Sequence, residues 1–329
     1  MPDDATQTPG LIALDWGTSS LRAWLLDATG AVLDSRSGPW GIMQVPRGGF
    51  AVRFTAVTAE WRARWPGLPA IAAGMVGSAQ GWVEVPYCPL PAGPRELASR
   101  LERIRDADLA VVPGLVQNGL VQDGLVQDGG AVAPDVMRGE ETQVVGALTR
   151  HPALQAHARL IMPGTHSKWV DVTDGRVVRF TTWMTGEVFA VLRHHSILGR
   201  LAPEDAPAAE AAFLQGVDAA RDAAAGVTSR LFSARALVLT GRLQAGESLE
   251  YLSGLLIGDE IKGALQDQAA DDGVKDAKLT LIGDAALCRR YHQALVRFGA
   301  PAPDILDNTA PWGLWRIAAA AGLLPAGSG

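Results

Sequence analysis

The chain has 329 residues and a formal net charge of −6, with 48% hydrophobic and 19% charged residues. Its length, about twice the roughly 150-residue typical domain, predicts two domains, the composition excludes a disordered or fibrous chain, and the acidic balance without a Lys/Arg run excludes a nucleic-acid partner. Met1–Gly10 reads as a disordered tail and not a secretory leader, no apolar stretch of about 18 residues follows it, and the isolated Cys88 and Cys288 fit neither zinc spacing nor a disulfide framework, so no membrane partner and a cytoplasmic location are expected.

Leu11–Asp15 is an apolar run ending in an acid, followed by the turn Gly17-Thr18-Ser19-Ser20, a second run Leu21–Leu26, the turn Asp27–Gly30 and a third run from Ala31. This predicts strand, tight turn, strand, hairpin, strand. Phe50–Trp65 shows helical spacing, Ala70–Val76 reads as a strand, Arg95–Ile104 as a helix and Leu109–Val112 as a strand. Residues 115–129 repeat Leu-Val-Gln-Asn/Asp-Gly three times, a low-complexity pattern expected to form a surface loop without chemistry.

Arg159–Met162 then runs into Gly164-Thr165-His166-Ser167, Lys168–Val172, the turn Thr173–Gly175 and Arg176–Thr182, the opening pattern a second time. Gly30 follows Gly17 by 13 residues and Gly175 follows Gly164 by 11, an internal repeat that predicts two related α/β domains. Beyond it, helices are expected over 186–201, 208–224, 247–265 and 285–298, and strands at Ala236–Leu239, Lys278–Ile282 and Ile305. The expected division is residues 11–139 and 140–308, with the C-terminal helix 309–325 completing the first domain.

A Gly-Thr-x-Ser turn between strands offers backbone N–H groups and hydroxyls to an anion, so Gly17, Thr18 and Ser19, and Gly164, Thr165, His166 and Ser167, are candidate phosphate cradles. Asp15 is placed to hold Mg²⁺ or to cap its turn, and Lys168 to meet a phosphate or to be solvated. Arg138–Gln143 precedes a helical run and puts Glu140 and Glu141 at a helix N-terminus, where they either offset the dipole or supply a base for a hydroxyl proton. Walker-type and Rossmann glycine loops are absent, as is the nucleophile-elbow frame around Ser78.

The segments Asp15–Arg22, Gly74–Ser78, Gly81–Glu84, Arg138–Gln143, Pro163–Trp169 and Met184–Glu187 together resemble the 2-dehydro-3-deoxygalactonokinase family of the actin-like ATPase superfamily. The resemblance implies a duplicated actin-like (ribonuclease H-like) α/β fold with a central nucleotide cleft. It implies transfer of the ATP γ-phosphate, with Mg²⁺, to the 6-hydroxyl of 2-dehydro-3-deoxy-D-galactonate in D-galactonate catabolism. Gly241 and the Gly283-Asp284-Ala285 turn are then the expected adenosine contacts. By analogy with exopolyphosphatases of the superfamily, Glu141 is the favoured base, with Glu140 second. Gly77, Ser78, Gln80 and Trp82 on one side and Thr185 and Glu187 on the other are expected to contact the sugar acid, with Arg22 or Arg138 on its carboxylate. Ala79 stands where the family usually has Arg, which bears on the choice between galactonate- and gluconate-derived acceptors. An exopolyphosphatase-like phosphohydrolase and a non-catalytic actin-like assembly or sensor protein are the alternatives, and a homodimer is compatible with the reading.

Overall fold

The computed structural model describes residues 8–118, 121–122, 125–126, 133–203, 205–269 and 277–325. β1 (Pro9–Trp16), β2 (Leu21–Asp27) and β3 (Val32–Gly38) form an antiparallel meander. α1 (Phe50–Arg64), β4 (Ala70–Ala73), β5 (Cys88–Pro89), α2 (Pro94–Ala98), β6 (Glu102–Ile104) and β7 (Leu109–Val111) follow. The short strands β8 (Leu115–Gln117), β9 (Val121–Gln122), β10 (Leu125–Val126) and β11 (Asp135–Met137) lead to α3 (Glu140–Arg150).

β4 runs parallel to β1 and β7 parallel to β4, giving a six-stranded sheet ordered β3-β2-β1-β4-β7-β6. β1 is an almost continuous apolar run because both of its faces are covered. α1 presents Phe54, Val57, Thr58 and Trp61 at helical spacing, and the three apolar side chains of that stripe join the core with Ile12, Leu14 and Val111.

The second half runs through β12 (His157–Met162), β13 (Ser167–Thr173), β14 (Arg176–Trp183), α4 (Thr185–His195), α5 (Glu210–Arg221), α6 (Ser233–Leu239), α7 (Ser248–Ala269), β15 (Lys278–Ile282), α8 (Ala285–Arg297), β16 (Asp304–Leu306) and α9 (Ala310–Ala320). Its sheet is ordered β14-β13-β12-β15-β16, with β15 parallel to β12 and β16 parallel to β15. This repeats the order β3-β2-β1-β4-β7 of the first sheet, so the duplicated, mixed α/β organisation read from the sequence is present.

Two compact units result. The first takes the described residues up to Ala156, Val172–Phe180 and the chain from Asn308; the second takes His157–Asp171 and Thr181–Asp307. The division therefore differs from the one expected at 139/140. α3 stays in the first unit because it packs on α9, where Thr309 Oγ1 donates to the Gln143 carbonyl at 2.6 Å.

Local corrections accompany it. Ala236–Leu239 is helical, not a strand: Ser233–Leu239 is built largely from Ala, Leu and Arg, good helix formers, and it packs against α7. The expected helix over 95–104 stops at Ala98, and Glu102–Ile104 pairs antiparallel with β7. Of the expected surface loop at 115–129, Leu115–Gln117 is a strand between β11 and β5 with Leu115 buried, while residues 119–120, 123–124 and 127–129 lie outside the described residues. Of the expected tail, residues 1–7 lie outside them as well, and Pro9 and Gly10 belong to β1.

Candidate functional site

In the first unit, fully buried Trp16 anchors the end of β1 through its indole N–H, which donates to the Trp40 carbonyl at 2.9 Å. The turn beyond it is closed by Gly17 N–H on the Ser20 carbonyl at 2.9 Å. It is braced from outside by Ile42 N–H on Gly17 O at 3.0 Å and Met43 N–H on Thr18 O at 3.2 Å. Thr18 and Ser19 are left exposed.

Asp15, 22% exposed, stands opposite Arg22 across the β1–β2 ladder with 3.6 Å between carboxylate and guanidinium. Burial raises the Asp15 pKa and Arg22 works against that rise. Arg22, read as a partner for a substrate carboxylate, already faces this carboxylate.

Gly74, at φ +92°, lets the segment after β4 pass this corner: a Cβ there would lie 2.8 Å from Trp16 O and 3.4 Å from Asp15 Oδ1. The start of α3 arrives at the same place, since a Cβ on Gly139 would lie 3.4 Å from Gly74 Cα. Glu141 is 0% exposed. Its Oε2 accepts from Gly139 N–H at 2.7 Å, whereas Oε1 has no hydrogen-bond partner among the described residues. Burial first, and the charge of Glu140 second, push its pKa up to about 8. Glu140 is half-buried and accepts from Arg138 N–H at 3.1 Å.

Arg138 lies with its guanidinium carbon 4.4 Å from the Tyr87 ring centre and Nη2 donating to Val85 O at 2.7 Å. Its Nε and Nη1 are buried without a hydrogen-bond partner among the described residues, and Nη1 lies 3.0 Å from where a Cβ on Gly77 would be. Ser78 directs its hydroxyl to Met75 O at 2.7 Å, and Gln80 is exposed. Trp82, expected at the substrate, is stacked on Phe50 at 6.2 Å and meets Trp16 and Phe54 at 6.4 and 5.9 Å. Aromatic packing is the cheaper home for so large an apolar ring, and it fixes the 77–82 loop.

In the second unit, no atom of the described residues would come within 4 Å of a Cβ on Gly164, so the backbone of the turn is open. The first turn of α4 is laid directly on it: Glu187 N–H donates to Thr165 O at 3.0 Å, and a Cβ on Gly186 would lie 2.5 Å from Gly164 O. Among the described residues α4 has no side-chain N-cap, and with the Glu187 N–H already used, its Thr185 and Gly186 N–H groups are the ones left to face an anion. His166 and Glu187 pair with each other, and buried Lys168 donates to Thr182 Oγ1 at 2.7 Å.

Ser167 and Thr185 point elsewhere. Both hydroxyls go to Glu260, a 1% exposed carboxylate of α7 that accepts from Ser167 Oγ at 2.7 Å, Trp169 Nε1 at 2.8 Å, Thr185 Oγ1 at 2.5 Å and Tyr291 OH at 2.6 Å. Burial raises its pKa and the four donors oppose the rise. The sequence reading missed this residue. The available signal was position: Leu252, Leu256 and Glu260 follow at intervals of four on one buried helix face, where a lone acid needs partners.

A cavity of about 640 Å³ opens beside the turn. Gly164, Thr165, Thr185 and Gly186 form one part of its lining, and Leu249, Ile257 and Leu287 give apolar surface in the remainder. Glu250 and Arg290, paired at 2.6 Å, also line it, as does Asp284, whose carboxylate caps α8 by accepting from Ala286 and Leu287 N–H at 3.0 and 2.9 Å. Gly283 precedes Asp284 and Ala285 begins α8, whereas Gly241 sits in the turn after α6, outside this lining. The volume suits a nucleotide-sized ligand.

A family model described as 2-keto-3-deoxy-galactonokinase matches residues 15–317. The chain is 40% identical over 292 residues to a Rhizobium meliloti (strain 1021) protein named as a probable 2-dehydro-3-deoxygalactonokinase, DgoK1, covering 86% of this chain and 88% of that one. It is 34% identical over 303 residues to the 2-dehydro-3-deoxygalactonokinase of Escherichia coli (strain K12), covering 92% and 95%. A crystal structure of a Sinorhizobium meliloti protein with the same designation superposes with a TM-score of 0.80 at 37% identity, over 94% of this chain and 98% of that one.

Proposed function

The chain belongs to the 2-keto-3-deoxy-galactonokinase family, and from that premise we propose that it transfers the γ-phosphoryl group of ATP to the 6-hydroxyl of 2-dehydro-3-deoxy-D-galactonate, a step of D-galactonate catabolism. Family membership makes it an ATP-dependent kinase, and the phosphohydrolase and assembly readings are not favoured. The observation that carries the mechanism is Glu141, a buried carboxyl with one unpartnered oxygen and a pKa near 8. A general base works best when its pKa lies near the working pH, and burial brings this one there.

Glu141 Oε1 accepts the hydroxyl proton as the acceptor oxygen bonds to phosphorus and the bond to the leaving ADP oxygen breaks. Arg138, with two unsatisfied N–H positions in a half-buried setting, is the cation for the acceptor's carboxylate. The open backbone of Gly164 and Thr165 and the Thr185 and Gly186 N–H groups at the start of α4 bind the phosphates, and the cavity beside them takes the nucleoside. Thr18 and Ser19 offer a second polar turn.

No cluster of three or more His, Cys, Asp or Glu side chains suited to a metal occurs among the described residues. An ion held by one carboxylate, water and phosphate oxygens fits that donor set, which is how Mg²⁺ is usually bound, and Asp15 is the carboxylate for it. When bound, Mg²⁺ neutralises charge on the transferring phosphate.

The test is ADP release with Mg-ATP in the presence of 2-dehydro-3-deoxy-D-galactonate, its gluconate epimer, or no acceptor. Turnover that requires the galactonate compound is expected. Equal use of both epimers would assign a relaxed acceptor site to Ala79, and acceptor-independent ADP release would sink the kinase reading of this site.

A further inference from the structure

We infer that Glu260, which belongs to no part of the reaction itself, is the positioning residue that holds the phosphate turn and the first turn of α4 in register for the nucleotide; this rests on the nucleotide reading of that turn. The four groups bonded to Glu260 come from three separate stretches of chain. Ser167 ends the turn, Trp169 lies two residues further along β13, Thr185 is the first residue of α4, and Tyr291 belongs to α8. Thr185 and Tyr291 also line the cavity, so the carboxylate stands directly behind its wall.

The count of lone pairs explains why a glutamate occupies this position. Each oxygen accepts two hydrogen bonds, and an ionised carboxylate is the only side chain that offers so many acceptor sites and no donor. The indole N–H of Trp169 can only donate, which orients the carboxylate, and the hydroxyls of Ser167, Thr185 and Tyr291 follow. Their protons are thereby committed behind the wall. What contacts the phosphates is the backbone of Gly164, Thr165 and α4, and Glu260 fixes the spacing of those two backbone segments. The Glu187 N–H bond to Thr165 O at 3.0 Å is the short link that this spacing preserves.

Glutamine can keep much of the arrangement. Its oxygen still accepts from Trp169 and Ser167, and its NH₂ can donate to the Thr185 and Tyr291 oxygens once those hydroxyls rotate. Leucine can accept nothing and strands all four donors. The two substitutions therefore separate positioning from bulk.

The experiment measures KM for ATP and for the acceptor, together with ADP binding by calorimetry, in wild type, Glu260→Gln, Glu260→Leu, Thr185→Val and Ser167→Ala. Glu260→Leu is expected to raise KM for ATP and Kd for ADP by about tenfold or more, with the acceptor KM within about twofold and Glu260→Gln recovering most of the loss. Thr185→Val and Ser167→Ala should each show a smaller rise confined to the nucleotide. A merely structural role lowers the folded fraction, which reduces apparent kcat and leaves both KM values alone; that pattern overturns the inference. Should Glu260→Leu fail to fold, wild-type nucleotide KM and Kd in both Thr185→Val and Ser167→Ala overturn it equally. A wild type that binds ADP but phosphorylates no acceptor would refute the proposed reaction, while the Kd series would still decide the role of Glu260.

Discussion

Glu141 opens α3 in the first unit and Glu260 lies midway along α7 in the second; both are withdrawn from solvent, at 0% and 1% exposure. Their surroundings differ. Glu260 has both oxygens filled by four donors, whereas Glu141 has one backbone N–H on Oε2, none on Oε1 among the described residues, and a second acid beside it in sequence. A carboxylate with saturated lone pairs is held in one geometry. A carboxyl left short of partners exchanges its proton near neutral pH. Burial alone therefore does not distinguish a reacting acid from a positioning one; the donor count does.

The largest effect that tests this contrast is on turnover. Glu141→Gln should lower kcat by about a hundredfold or more, while Glu260→Gln stays within about fivefold, both read by ADP release at saturating substrates. Near wild-type turnover of Glu141→Gln would transfer the base role to Glu140 and remove the contrast.

Arg138→Ala should raise the acceptor KM by roughly ten- to a hundredfold with the ATP KM unchanged, the usual cost of a lost charge-assisted hydrogen bond. A rise in the ATP KM instead would move Arg138 to the nucleotide. Asp15→Asn should reduce activity about tenfold at low Mg²⁺ and regain part of it as Mg²⁺ is raised. Insensitivity to the metal concentration would count against Asp15 as its ligand.

Two pH measurements sharpen the comparison. Because Glu141 must be ionised to accept a proton, kcat/KM should fall as pH drops below about 8, and this limb should vanish in Glu141→Gln. The smallest effect is on stability. A carboxyl whose folded pKa is raised from 4.5 to about 8 favours the folded state below pH 4.5 and loses that advantage as pH rises through 8. Glu141→Gln should therefore unfold at a higher temperature than wild type at pH 8–9, with the gap closing below pH 4.5. Equal unfolding temperatures at both ends would mean that Glu141 is not buried without compensation.

Much of the fold was legible because it is local. Two runs of strand, Gly-Thr-x-Ser turn, strand and hairpin appear in the chain as such, and their spacing alone announces the duplication. The apolar stripe of α1 and the acids heading α3 are likewise visible without coordinates. Reading was weakest where sequence pattern and packing compete. Ala236–Leu239 is short and apolar, equally suited to a buried strand or a helix, and contact with α7 decides for helix. The division after Ala156 depends on α9 returning from the far end of the chain to meet α3.

The candidate residues divide in the same way. Residue type and order along the chain determined that Asp15, Glu140, Glu141 and the Gly164 turn were the places to look, because a turn's exposed N–H groups and a helix's leading acids follow from neighbours in sequence. Only the tertiary structure decided what each group does with its proton. Ser167 and Thr185 give theirs to Glu260, Trp82 stacks on Phe50, and burial pushes the Glu141 pKa up to about 8. Desolvation and hydrogen-bond supply depend on groups far apart along the chain, such as residues 167, 185, 260 and 291, and no spacing within the sequence encodes their meeting.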